Sequence, residues 1–112
     1  EATERLLASQ QDFTAVLAGN DLIALGALSV LSGNGRRCPA DVSVVGFNDL
    51  PLVDKLTPGL TTVTLPLREM GALAARMLLS AIDSPDHDGP VAQSLLGVEL
   101  AVRGSTGRLP RR

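Results

Sequence analysis

The chain has 112 residues, room for one compact domain, and 45% of them are hydrophobic, although Phe13 and Phe47 are its only aromatic side chains. Its formal charge is −2 and its basic residues are scattered, apart from a locally basic tail at Arg108–Arg112, so a DNA-binding surface is not expected in this stretch. A single cysteine, Cys38, excludes an internal disulfide and fits a reducing compartment, while the longest apolar run, Leu22–Leu31, is too short to cross a bilayer and has no cleavage site after it.

Glu1–Ala8 has helical composition but no capping residue before it, and it reads as the end of a longer helix belonging to a chain that extends upstream. Phe13–Ala18 is a short apolar run with β-branched members and predicts a buried strand. Asn20-Asp21 then precedes the apolar run Leu22–Leu31, which ends in Ser32-Gly33-Asn34-Gly35. A side-chain oxygen ahead of an apolar run caps the free N–H groups of a first helical turn, and glycine stops a last turn, so a helix is predicted between them. Because that helix is apolar nearly all round, it is expected to be buried on every side, with the sheet covering one face and a further partner the other.

Val42–Phe47 predicts a second buried strand, closed by Asn48-Asp49. Leu50–Thr57 reads as loop with one helical turn, and Pro58-Gly59 as a turn. Leu60–Leu65 predicts a third strand. Leu67, Met70, Leu73, Ala74, Met77, Leu78, Ala81 and Ile82 recur at helical spacing, with Arg68, Glu69, Ala72 and Arg76 opposite, which predicts an amphipathic helix. Asp83–Pro90 reads as a polar loop, and Val91–Val102 as a final strand broken near Gly97. The order α-β-α-β-β-α-β predicts an α/β fold, a mostly parallel sheet flanked by helices.

Two polar pairs, Asn20-Asp21 and Asn48-Asp49, each follow a predicted strand. If those strands are parallel, both pairs lie at the carboxyl edge of the sheet, where open α/β sheets bind ligands. Amide and carboxylate groups side by side donate to and accept from hydroxyl groups, which suits a sugar or related polyol. The same residues also suit a capped helix start and a turn, and one member of a pair can cap while its neighbour faces a cleft. Asn20, Asn48 and Asp49 are therefore the candidate ligand-binding residues.

No catalytic, metal or cofactor site is expected. His87 is the only histidine, and the spaced acids around it lack the spacing and closing Glu of a calcium loop. Cys38 has no base near it in sequence, Gly33-Asn34-Gly35 follows a helix instead of leading from a strand into one, and no Gly-x-Ser-x-Gly elbow occurs.

Four segments in this order resemble the lactose-repressor/galactose-repressor (LacI/GalR) family: Leu17–Ala27, Pro39–Asp49, Thr57–Val63 and Arg103–Thr106. The resemblance implies a periplasmic-binding-protein-like sensor built of two α/β subdomains with a small-molecule effector between them. Residues 1–106 would form a truncated C-terminal subdomain and 107–112 a tail. It further implies a cytoplasmic transcription regulator that dimerises and that binds DNA only through an N-terminal module absent from this chain, with no membrane partner. In that family the residues matching Asn20 and Asn48 commonly face the effector. The second is usually Asp in Gly-Phe-Asp-Asp, and a Gln is common where Leu65 stands, so this chain departs from the family at both positions. The helix matching Leu22–Leu31 and the loop matching Leu50–Thr57 form part of the family's dimer contact, which makes Leu25, Leu28 and Leu56 the candidate interface residues. A soluble sugar-binding protein of a transport system, which shares the fold, is the alternative.

Overall fold

The computed structural model describes residues 1–83 and 93–108. The chain forms two compact units. One comprises Glu1–Thr64 together with the chain from Glu99 onward, and the other Leu65–Val98.

In the first unit, helix α1 (Ala2–Ala8) leads to strand β1 (Ala15–Leu17), helix α2 (Asp21–Gly33), strand β2 (Ser43–Asn48), a 3-10 turn at Val53–Lys55, strand β3 (Thr61–Thr64) and strand β4 (Glu99–Ala101). The sheet order is β1-β2-β3-β4. β1, β2 and β3 are parallel, and β4 runs antiparallel to β3. A parallel pair needs a long connection between its strands, and α2 supplies it between β1 and β2.

The core is aliphatic, as the near absence of aromatics requires. Ala18, Ala24, Leu31, Val42, Val44, Val53 and Leu60 are buried together, with Leu7, Phe13, Val16 and Leu28 packed against them. Burial of α2 departs from expectation. Ala24, Ala27 and Leu31 face the core, whereas Leu22 and Ile23 are more than half exposed. An all-round apolar sequence therefore folds here with one covered face and one uncovered face.

β2 and β3 pair only from Val45 and Thr61 onward. Ahead of that point, Ser105 lies between the two chains. The Val44 N–H donates to the Ser105 carbonyl (2.8 Å) and the Ser105 N–H to the Gly59 carbonyl (2.9 Å). The buried Ser105 hydroxyl donates to the Val44 carbonyl (2.6 Å) and accepts from the Thr61 N–H (2.8 Å). One small hydroxyl residue thus replaces the missing ladder bonds, as buried backbone polar groups require. The Cys38 thiol also donates to the Ser105 carbonyl (3.3 Å).

The final strand is a second departure. β4 covers only Glu99–Ala101, and residues 93–98 have no regular structure. Val91 and Ala92 of the expected strand lie outside the described residues, as do Ser84–Pro90 with His87. In the second unit, helix α3 spans Leu67–Asp83, matching the periodic segment. None of its residues is buried; within that unit Met70, Leu73, Met77, Leu96 and Val98 line an open cavity of about 530 Å³.

Candidate functional site

The carboxyl ends of β1, β2 and β3 lie side by side. β1 ends at Leu17, level with Val45, and Asn20 follows it as the α2 cap, while Asn48 ends the neighbouring β2 and pairs with Thr64. Both polar pairs singled out from sequence are thus at one edge of the sheet.

Their four side chains do different things. Asn20 caps α2: it is extended (φ −160°), and its side-chain oxygen accepts from the Ile23 N–H at 2.9 Å. The capping bond uses the oxygen and leaves the amide NH2. Asp21 is fully buried. Its carboxylate accepts from the Leu50 N–H (2.7 Å) and from the Thr62 hydroxyl (2.6 Å), so it fastens the start of α2 to the loop after β2 and to β3. Space for it comes from Gly46. A Cβ there would collide with the Asp21 carboxylate and come within 2.9 Å of a Leu60 methyl.

Asn48 and Asp49 both have left-handed backbones, with φ of 111° and 54°. Asp49 turns inward. One oxygen accepts from the Arg103 guanidinium (2.7 Å) and the other from the Thr64 hydroxyl (3.0 Å). Asn48 is half-buried, and among the described residues its side chain has no hydrogen-bond partner. The roles of Asp21 and Arg103 were not read from sequence. The signals that could have found them are the polar Thr61-Thr62 inside a buried strand and the glycine facing them at Gly46, both marks of a polar group inserted into the core.

A second feature lies on α2. Leu25, Leu28 and Leu56, the candidate interface residues, are all half-buried and line one depression of about 410 Å³ with Arg36, Arg37 and Cys38. Burial raises the Cys38 thiol pKa above its ordinary value, which leaves little thiolate near neutral pH. Beside it, Arg37 grips Asp41 through both its side chain and its backbone N–H, holding that carboxyl down at about 2.

Residues 1–106 match the family described as periplasmic binding protein-like domain. The chain belongs to this family. Within the periplasmic binding protein-like family its relatives are LacI-type regulators. It is 40% identical over 110 residues to the probable HTH-type transcriptional repressor ExuR of Bacillus subtilis, covering 97% of this chain and 32% of that protein. It is 38% identical to the HTH-type transcriptional repressor CytR of Escherichia coli, covering 98% of this chain and 32% of the relative. This periplasmic binding protein-like chain therefore spans about a third of the curated relatives it matches. Among solved structures it matches a complex of the transcriptional regulator CelR with cellobiose (39% identity, TM-score 0.82, 93% of this chain and 31% of that one). It also matches a LacI-family regulator of Arthrobacter sp. FB24 in complex with lactose (37%, TM-score 0.76, 95% and 39%). A third match is the lac repressor dimer bound to operator and the anti-inducer ONPF (32%, TM-score 0.81, 94% and 36%). These names favour the regulator reading over the transport-protein alternative. No described helix is long and apolar enough to cross a membrane.

Proposed function

We propose that residues 1–106 are the C-terminal subdomain of the effector-sensing part of a LacI-type transcription regulator, with 107–112 as a tail. The second wall of the effector cleft and a DNA-binding module lie outside these residues. The protein works in the cytoplasm as a homodimer, and its DNA affinity changes when a sugar-like effector binds.

One observation carries this reading: Asn20 and Asn48 follow the carboxyl ends of two neighbouring parallel strands, and the Asn48 side chain is left without an internal partner among the described residues. Both carboxylates at this edge are engaged inward, Asp21 by Leu50 and Thr62 and Asp49 by Arg103 and Thr64. Amides are what remains to meet a ligand. An amide both donates and accepts, which matches a neutral polyhydroxylated compound. The cellobiose and lactose bound by two structural relatives are of this class. The role is binding, with no catalytic step. Leu25, Leu28 and Leu56 are proposed for the dimer contact on the family resemblance, and their sharing one partly uncovered depression is compatible with it.

The test is made on the full-length protein that contains this chain. Its thermal stability is measured with cellobiose, lactose and ribose, and its affinity for the DNA upstream of its own gene is measured with and without each. A sugar that stabilises the protein and shifts DNA affinity is the expected result. Stabilisation by none of the three, with DNA affinity unmoved, contradicts the assignment.

A further inference from the structure

We infer that Arg103 is a positioning residue for the ligand edge, acting on Asn48 through Asp49; this rests on the sensor reading above. Asn48 and Asp49 are successive non-glycine residues with φ of 111° and 54°. L-residues avoid this region, so the surroundings must hold the backbone there. The fastening is on the Asp49 side of the turn. The Asp49 carboxylate is held by the Arg103 guanidinium at 2.7 Å and by the Thr64 hydroxyl at 3.0 Å, and the next residue's N–H donates to Asp21 at 2.7 Å. Asn48 itself contributes no side-chain bond among the described residues, so its direction is inherited from the turn.

Arg103 is itself fixed at both ends. Its backbone N–H donates to the Thr61 hydroxyl at 2.9 Å, and one guanidinium nitrogen donates to the Leu60 carbonyl at 2.8 Å while another meets Asp49. The ion pair is about three-quarters buried on each side (24% and 21% exposed), so solvent screens it far less than a surface pair. A planar guanidinium can serve the Leu60 carbonyl and the Asp49 carboxylate at once; a lysine ammonium has no such fork. Arg103 therefore joins the chain's last strand region to the turn that presents Asn48, without being a ligand contact itself.

The experiment is a double-mutant cycle in the full-length protein, with Arg103→Lys and Asn48→Gly, titrated with cellobiose, lactose and ribose. Glycine removes the amide and accepts the positive φ, so it adds no strain of its own. If Arg103 acts through Asn48, Arg103→Lys weakens binding about 10-fold in the wild-type background and less than about 2-fold beside Asn48→Gly. Equal losses in both backgrounds would show a general structural role and overturn the inference. Amide hydrogen exchange supplies a readout that needs no sugar: Arg103→Lys speeds exchange at Asp49 and Leu50 while leaving Val45 unchanged. Unchanged exchange at Asp49 and Leu50, or equal acceleration at Val45, also overturns it. Binding of no sugar by the wild type overturns the sensor reading and the recognition role together, and exchange then still decides whether the pair holds the turn.

Discussion

Replacing Asp21 with alanine is the sharpest perturbation of the architecture behind the ligand edge. The side chain is fully buried and accepts from the Leu50 N–H at 2.7 Å and the Thr62 hydroxyl at 2.6 Å. Hydrogen bonds to a charged group contribute about 1.5–3 kcal/mol each, and losing the acceptor leaves two donors stranded. Asp21→Ala should therefore cost about 3–5 kcal/mol, a large share of the roughly 5–15 kcal/mol that holds a domain together. Asp21→Asn keeps the volume and one acceptor oxygen, and the Thr62 hydroxyl can rotate to accept from the new amide, so it should cost about 1–2 kcal/mol less than alanine. Thr62→Val should cost about 1–2 kcal/mol alone, and less than that when Asp21 is already alanine, because the shared bond is then gone. Urea unfolding followed by circular dichroism measures all four variants. An Asp21→Ala chain within about 1 kcal/mol of wild type, or strict additivity with Thr62→Val, would refute this account of how α2, β3 and the loop after β2 are joined.

Gly46→Ala should destabilise by about 2 kcal/mol in the same assay, since the new methyl group meets the Asp21 carboxylate and comes within 2.9 Å of Leu60. Leu25→Glu or Leu56→Glu should weaken self-association in sedimentation velocity, because a two-fold contact meets each substitution twice; unchanged association would move the interface elsewhere. The Asp41 carboxyl, lowered to about 2 by Arg37, contributes stability that is full above the ordinary carboxylate range and is lost as pH falls through about 2. A 13C titration of that carboxyl with a midpoint near 4 would show that the Arg37 contact does not persist in solution.

Local signals predicted local structure well. The Asn20 cap, the Gly33–Gly35 stop and the periodic run from Leu67 sit where the sequence placed them, because each is decided by residues a few positions apart. The parallel order of β1, β2 and β3 was likewise legible from aliphatic runs separated by turns and a helix. Burial of α2 was not. An apolar run says nothing about which face finds cover, and Leu22 and Ile23 find little among the described residues. The final strand was overread because Gln93–Val98 supplies apolar residues without a neighbouring strand to pair with; only Glu99–Ala101 reaches β3. The inner wiring of the ligand edge was hidden for a related reason. Asp21 meets Thr62, and Asp49 meets Arg103, across long stretches of chain, and no local pattern distinguishes an inward-facing carboxylate from a solvated one.

The central claim is that Asn20 and Asn48 present amides to a neutral sugar at this edge. Calorimetric titration of the full-length protein with the best-binding sugar of the panel tests it most directly, using Asn20→Asp, which keeps a capping oxygen and replaces the amide donor with a charged acceptor, and Asn48→Gly. Losing a hydrogen bond to an enclosed ligand costs roughly 1–3 kcal/mol, so the account predicts affinities about 5- to 150-fold weaker for each variant, with the fold intact. Wild-type affinity in both variants would contradict it.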